Sequence, residues 1–271
     1  MPAPELLVEE IIYYPVKSCA GTSLETAEFD DRGIIHDRGW VIVNEKGVAI
    51  TQREAKELAL VKPEVETNGK VQLKLSAPGM SSIVIPEVDQ ASDSNDEITC
   101  QIWKDSVCGV DQGAPASKWL SDYMGRPARL IRMAKETKRI VAKTEDKVVG
   151  FADGYPVLII SSASLEELNR SLEKPIKMNR FRPNIVISGC EPYAEDAWRQ
   201  IKIGDLLLDV VKPCARCVVT TIEQETATKE REPLKTLSRT RLKDNQVLFG
   251  QNAIHLNSSK ISVGDQLKVL H

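Results

Sequence analysis

Apolar residues in this chain fall mostly in short runs rather than long helical stripes, a pattern that predicts strands. Residues 6–14 (LLVEEIIYY) predict a first strand, ended by Pro15, which cannot donate to a ladder. Runs at 40–43 (WVIV), 71–75 (VQLKL) and 82–85 (SIVI) predict three more. Residues 71–75 alternate with period two, so one face of that strand is wet. Residues 86–97 (PEVDQASDSNDE) are acidic and turn-forming and predict a solvated loop.

Helical patterns are few. Residues 115–124 place Ala116, Trp119, Leu120 and Tyr123 on one face, with Pro115 at the start and Gly125 at the stop. A second helix is expected from Ser164, where Ser164-x-x-Glu167 has the form of a capping box and Leu165, Leu168 and Leu172 follow. A short third follows Pro233, with Leu234 and Leu237 inward.

The second half repeats one small phrase. Ile203-Gly-Asp205 and Val263-Gly-Asp265 each place a turn after an apolar residue and before a strand. With strands also expected at 184–188 and 217–222, these units predict a closed or nearly closed barrel. A break near residue 126 is the best boundary in the sequence. The fold class is therefore mostly β with a few helices (α+β).

Composition narrows the function classes. The 271 residues carry 36 Lys plus Arg against 39 Asp plus Glu, a net charge of −3. Binding to nucleic acid or to an anionic membrane needs a basic excess, and there is none. No apolar run approaches the roughly 18 residues of a membrane span, and residues 1–5 lack the features of a secretory signal. The expectation is a cytoplasmic protein without a membrane anchor. Six cysteines in such a chain default to free thiols, so Cys19, Cys100, Cys108 and Cys190 are expected to be packing residues.

Phosphate-loop, dinucleotide, zinc-protease and nucleophile-elbow motifs are all absent. The strongest chemical feature is Lys212-Pro-Cys-Ala-Arg-Cys217, expected to enter a strand. Arg216 and Lys212 beside Cys217 should favour its thiolate, a soft metal ligand. A structural pair or a redox pair is equally consistent with C-x-x-C. A zinc site lacks the further Cys or His needed for four ligands. A second feature is a scatter of cations at strand ends: Lys17 beside Ser18, Arg38, Arg53, and Arg180 with Arg182. If residues 180–182 are extended, those two guanidiniums share a side. Converging cations of this kind would hold a phosphate.

Several phrases carry a resemblance. Tyr14-Pro-Val-Lys-Ser18, Asp37-Arg38-Gly-Trp40 and Arg180-Phe-Arg-Pro-Asn-Ile-Val-Ile-Ser-Gly-Cys190 come first. Tyr193-Ala-Glu-Asp-Ala-Trp198, Ile203-Gly-Asp205 and Cys214-Ala-Arg-Cys217-Val-Val-Thr-Thr221 follow in that order. Glu232-Pro-Leu-Lys-Thr-Leu237 and Phe249-Gly-Gln251 extend the series nearly to the end. In all of these the chain resembles the MOSC superfamily, and within it the mitochondrial amidoxime-reducing components and their bacterial relatives.

The resemblance implies a MOSC-type β-barrel plus a MOSC N-terminal region. Residues 1–38 would give the first barrel strands, 39–126 an inserted N-terminal region, and 127–271 the domain with the cofactor site. It implies molybdenum on molybdopterin, with Cys217 as the protein's thiolate ligand. Lys17, Ser18, Arg38 and Arg182 would hold the pterin and its phosphate, and Arg216 flanks the ligand. Asp153 matches the family and is carried as catalytic together with Cys217. Gly154, Tyr155 and Ala215 stand where relatives carry other side chains, so backbone contacts are expected there. The implied reaction is two-electron reduction of small N-hydroxylated substrates, such as amidoximes and N-hydroxylated bases. Neither the membrane anchor of mitochondrial relatives nor the ferredoxin-like domain of some bacterial ones is expected here. Electrons would therefore come from a separate haem or iron–sulfur donor protein with its reductase. Two other readings remain at this point: a molybdenum-cofactor or sulfur carrier using Cys217 without turnover, and a non-catalytic module for a phosphorylated ligand.

Overall fold

The computed structural model describes residues 5–67, 69–86 and 97–271. In chain order the strands begin with β1 Leu7–Tyr13, β2 Thr22–Leu24, β3 Thr26–Asp30, β4 Gly33–Ile34 and β5 Trp40–Val43. Next come β6 Lys62–Glu66, β7 Gln72–Ser76, β8 Ile83–Pro86, β9 Glu97–Ile102, β10 Asp105–Asp111 and β11 Arg129–Met133. The second half holds β12 Val157–Ser161, β13 Ile185–Ser188, β14 Gln200–Ile203, β15 Leu206–Ala215 and β16 Leu242–Lys243. It ends with β17 Gln246–His255, β18 Lys260–Ser262 and β19 Leu267–Val269. Among the described residues three α-helices, α1 Ala114–Met124, α2 Ser162–Arg170 and α3 Leu234–Thr240, complete a mostly β fold. The expected loop at 86–97 lies, apart from its ends, outside the described residues.

The main sheet runs β19-β14-β15-β17-β12-β13-β1-β2, with β16 beside β17. It curls on itself, because Leu7 bridges Gln266 and the Leu267 amide donates to the Leu6 carbonyl at 2.8 Å. Period-two alternation fills the interior. Ile201 and Ile203, Leu206 and Leu208, Val157 and Ile159, and Ile185 and Ile187 all point into one buried cluster. The opposite face of β12, Leu158 and Ile160, packs with Leu168, Phe181, Leu237 and Phe249.

Residues 40–133 form a second body. Its sheet order is β5-β11-β10-β9, beside a β6-β7-β8 meander. Trp40, Ile42, Leu58, Leu73, Leu75 and Leu130 share its core with Ala116, Trp119 and Leu120 of α1. The αL residue that ends α1 is Gly125, at φ 63°. β1 pairs with β13 of the second half, and β3 with β18. β11, just past residue 126, pairs back to β5 and β10.

Three local expectations need correction. α2 starts at Ser162, and its cap is Ser161, whose Oγ accepts from the Ser164 amide at 3.1 Å. Ser164 instead directs its hydroxyl to buried Glu195, at 2.8 Å, so the carboxylate closing this helix end comes from a distant loop and not from Glu167. Residues 218–221 form a 3-10 turn, not a strand, so Cys217 follows β15 instead of entering a strand. Residues 178–180 form another such turn. Arg180 and Arg182 therefore do not share a side; Arg180 is buried and bound to the Thr220 carbonyl and to Glu230.

Candidate functional site

One cavity gathers all ten candidate residues: Lys17, Ser18, Arg38, Asp153, Gly154, Tyr155, Arg182, Ala215, Arg216 and Cys217. They arrive on segments where strands stop or bend. Lys17 and Ser18 follow β1, Arg38 precedes β5, 153–155 precede β12, and Arg182 precedes β13. Cys217 lies just past β15, which bulges between Val210 and Lys212 and again between Pro213 and Ala215. Three of the ten, Ser18 (φ 69°), Arg38 (φ 48°) and Arg182 (φ 57°), hold left-handed backbone. Such conformations cost about 1–3 kcal/mol each and cluster at functional sites, where the surrounding structure enforces them.

The enforcing contacts are specific. The Arg38 guanidinium pairs with buried Asp37 and donates to Asn184 Oδ1 at 3.0 Å. Asn184 in turn donates to the Ile12 carbonyl and accepts from the Leu158 amide, tying β1 to β12. The Arg38 and Arg182 guanidiniums lie 4.3 and 4.2 Å from the Tyr14 ring centroid. Burial pushes the Tyr14 phenol up to about 12, against the pull of the two arginines, so the ring stays neutral. Gln52 donates to the Ser18 carbonyl at 2.7 Å and exchanges hydrogen bonds with Gln224, clamping the Ser18 turn from the second body.

Lys17 is buried and donates to the Phe151 carbonyl at 2.8 Å and to Asp153 Oδ1 at 2.5 Å. Burial lowers the Lys17 ammonium from its usual range, and the Asp153 carboxylate pulls it back up. Burial works to raise the Asp153 carboxyl. Lys17, Arg53 and the Trp103 N–H outweigh that and hold it below the usual carboxylate range. Its side chain is still 64% exposed, so water screens the pair and the two charges are best seen as an anchor at the cavity mouth. Arg139 fastens this loop from behind by donating to the Gly150, Ala152 and Asp153 carbonyls. Gly150 packs so closely on the Arg38 backbone that a Cβ would lie 2.8 Å from that carbonyl oxygen.

The two cysteines differ in their neighbours, and not as the sequence suggested. Arg216 donates to Cys214 Sγ at 2.9 Å and to the Phe181 carbonyl, leaving its buried Nε without a partner. Cys217 Sγ accepts from Arg53 Nη2, at 3.2 Å. Arg53 in turn lies over Trp103, whose indole N–H donates to Asp153. Of the expected packing cysteines, Cys19 and Cys100 are buried, whereas Cys108 and Cys190 are half-buried; none of the six cysteines is in a disulfide. Among the described residues no cluster of three His, Cys, Asp or Glu could hold a metal ion. No helix among them is long and apolar enough to cross a membrane.

Sequence reasoning noted Arg53 only as one cation in a scatter and passed over Trp103, Asn184 and Arg139. Trp103 occupies a two-residue turn that a W-K dipeptide does not announce. Arg139 sits in an irregular stretch with no periodicity to mark it.

Comparison with known proteins agrees with this architecture. Residues 146–268 match the MOSC domain, and 5–127 match the MOSC N-terminal beta barrel domain. Mitochondrial amidoxime-reducing component 1 of Mus musculus is 35% identical over 97% of this chain and 82% of that protein. Mitochondrial amidoxime reducing component 2 of Rattus norvegicus is 37% identical over 95% of this chain and 81% of that protein. Molybdenum cofactor sulfurase of Danio rerio is 34% identical over 90% of this chain but only 31% of that protein. The chain belongs to the MOSC family.

Proposed function

We propose that this chain is a molybdenum-cofactor oxidoreductase that reduces N-hydroxylated compounds, with Cys217 as the metal's protein ligand. The observation that carries the reading is the placement of the Cys217 sulfur in a cavity walled by Lys17, Arg38, Arg53, Arg182 and Arg216. A single thiolate cannot hold a metal alone, and among the described residues no His, Cys, Asp or Glu cluster stands by to help. A metal here must bring its remaining ligands with it, as a dithiolene cofactor does. The cations suit the phosphate of such a group. The unpartnered Arg216 Nε is a donor available to it, and a Cβ at Gly154 would meet nothing within 4 Å, so there is room.

Lys17, Ser18, Arg38 and Arg182 would hold the pterin and its phosphate, while Gly154, Tyr155 and Ala215 would meet it through main-chain groups. The cofactor supplies the two-electron redox chemistry. Conversion of an amidoxime to its amidine takes two electrons and two protons and releases one water as the N–O bond breaks. Asp153, held ionised, cannot be the proton source at neutral pH; its part is to fix Lys17 and the indole of Trp103 beside the reacting centre. Solvent reaches this open mouth and supplies the protons. Electrons come from a separate haem or iron–sulfur protein with its reductase, since no dinucleotide fingerprint or cysteine cluster marks the chain.

The test is reduction of benzamidoxime to benzamidine by protein purified from a molybdopterin-producing host. A reduced viologen should drive turnover, and NADH alone should not. A chain that binds molybdenum and pterin but shows no turnover with the viologen would instead be a carrier.

A further inference from the structure

β9 and β10 form a hairpin in which Ile102 pairs with Asp105, leaving Trp103 and Lys104 as the whole turn. Trp103 takes φ 57° there, a conformation that such turns normally assign to Gly or Asn. Burial does not account for a bulky residue in this strained position, because Trp103 is 48% exposed. Contacts aimed at the cofactor cavity hold it instead. Its N–H donates to Asp153 Oδ1 at 3.2 Å, and its ring lies 4.3 Å beneath the Arg53 guanidinium, which reaches on to Cys217 Sγ. A cleft of ≈ 460 Å³ beside the ring, bounded by Val48, Ala49 and Gln101, shares Lys17, Thr51 and Arg53 with the cysteine cavity.

The guanidinium of Arg53 is a planar N–C–N group lying over an indole, with one nitrogen 3.2 Å from the sulfur. The head of an amidoxime or an N-hydroxyguanidine has the same planar N–C–N frame. Arg53 is an exposed side chain, so moving it off the indole disturbs no buried group of its own.

We propose that Trp103 is the substrate platform: planar amidine-type N-hydroxylated compounds stack on its indole where Arg53 now lies, and so reach the Cys217 centre. This rests on the function proposed above. Strain stored in an exposed aromatic is then the structural cost of recognition.

Trp103→Gly is the informative variant, because glycine fits the turn and removes the platform without straining the fold. Binding of benzamidine, the reduction product, is measured by titration calorimetry on the cofactor-loaded protein, with KM and kcat for benzamidoxime in parallel. Trp103→Gly should keep or raise the melting temperature while weakening benzamidine binding and raising KM about five-fold or more, with kcat little changed. Trp103→Phe should retain most of the affinity, and Lys104→Ala should match wild type. Wild-type binding and KM in Trp103→Gly, alongside active wild-type enzyme, would overturn the platform and leave the reductase reading standing. Wild-type protein that does not reduce benzamidoxime would overturn both.

Discussion

Arg53 and Cys217, 164 positions apart in the chain, meet with Nη2 and Sγ at 3.2 Å. Arg53 belongs to the body built from residues 40–133, and Cys217 follows β15 of the barrel. The cavity is thus completed across two packed bodies, and the guanidinium facing the proposed ligand is not its sequence neighbour. Arg216 faces Cys214 instead. Chemically equivalent sulfurs three residues apart are given different partners, which is the physical basis for expecting different roles.

Asn184 carries the heaviest structural demand at this site. Its buried side chain serves the Arg38 guanidinium, the Ile12 carbonyl and the Leu158 amide. Asn184→Ala leaves buried partners unpaired and should destabilise the fold by about 1–3 kcal/mol, read as a shift of the urea midpoint at unchanged slope. Asn184→Asp should be milder on Arg38 but lose the bond to Ile12. An Asn184→Ala midpoint equal to wild type would contradict the network.

Arg182 should matter for retention of the cofactor more than for folding. A charge-assisted bond to a phosphate is worth about 1.5–3 kcal/mol, so Arg182→Ala should lower pterin retention roughly ten-fold or more. Arg182→Lys should recover only part, since a point charge cannot replace the planar fork. Pterin released by oxidation is quantified per chain, with Lys118→Ala on the exposed face of α1 as the control. Undiminished pterin in Arg182→Ala would place the phosphate elsewhere.

The Lys17–Asp153 pair sets a pH dependence of definite sign. The folded Asp153 carboxyl titrates below the ordinary aspartate value of about 3.9, so the folded state keeps this charge at acidities where the unfolded chain takes up a proton. Its contribution is therefore complete above about pH 4 and fades as pH falls further toward the folded value. The stability gap between wild type and Asp153→Asn should be constant near neutrality and close in acid. It should be small, because the carboxylate is exposed. Denaturation midpoints across this range test it, and a gap that widens in acid would refute it.

The fold was largely legible, because alternating short runs such as 201–210 translate directly into barrel strands with one face inward. The site was legible in membership but not in wiring. Lys17, Arg38, Arg182 and Cys217 stand in recognisable phrases, yet the phrases do not say that Arg53 meets Cys217 or that Glu195 closes α2. Those pairings are long-range and depend on how two bodies pack. The turn at 218–221 escaped because Val-Val-Thr-Thr favours a strand locally, and the chain reversal after β15 overrides that preference. Trp103 escaped for the opposite reason: its conformation contradicts its residue type, and no propensity rule points to a tryptophan in a glycine position.

The central claim is that Cys217, and not Cys214, binds the metal of a pterin cofactor. Molybdenum and pterin per chain, measured on wild type, Cys217→Ala and Cys214→Ala from the same molybdopterin-producing host, test it most directly. Wild type and Cys214→Ala should carry both near one per chain, and Cys217→Ala should lose most of its molybdenum together with all reductase activity. Molybdenum retained in Cys217→Ala, or lost equally from both variants, would contradict the assignment.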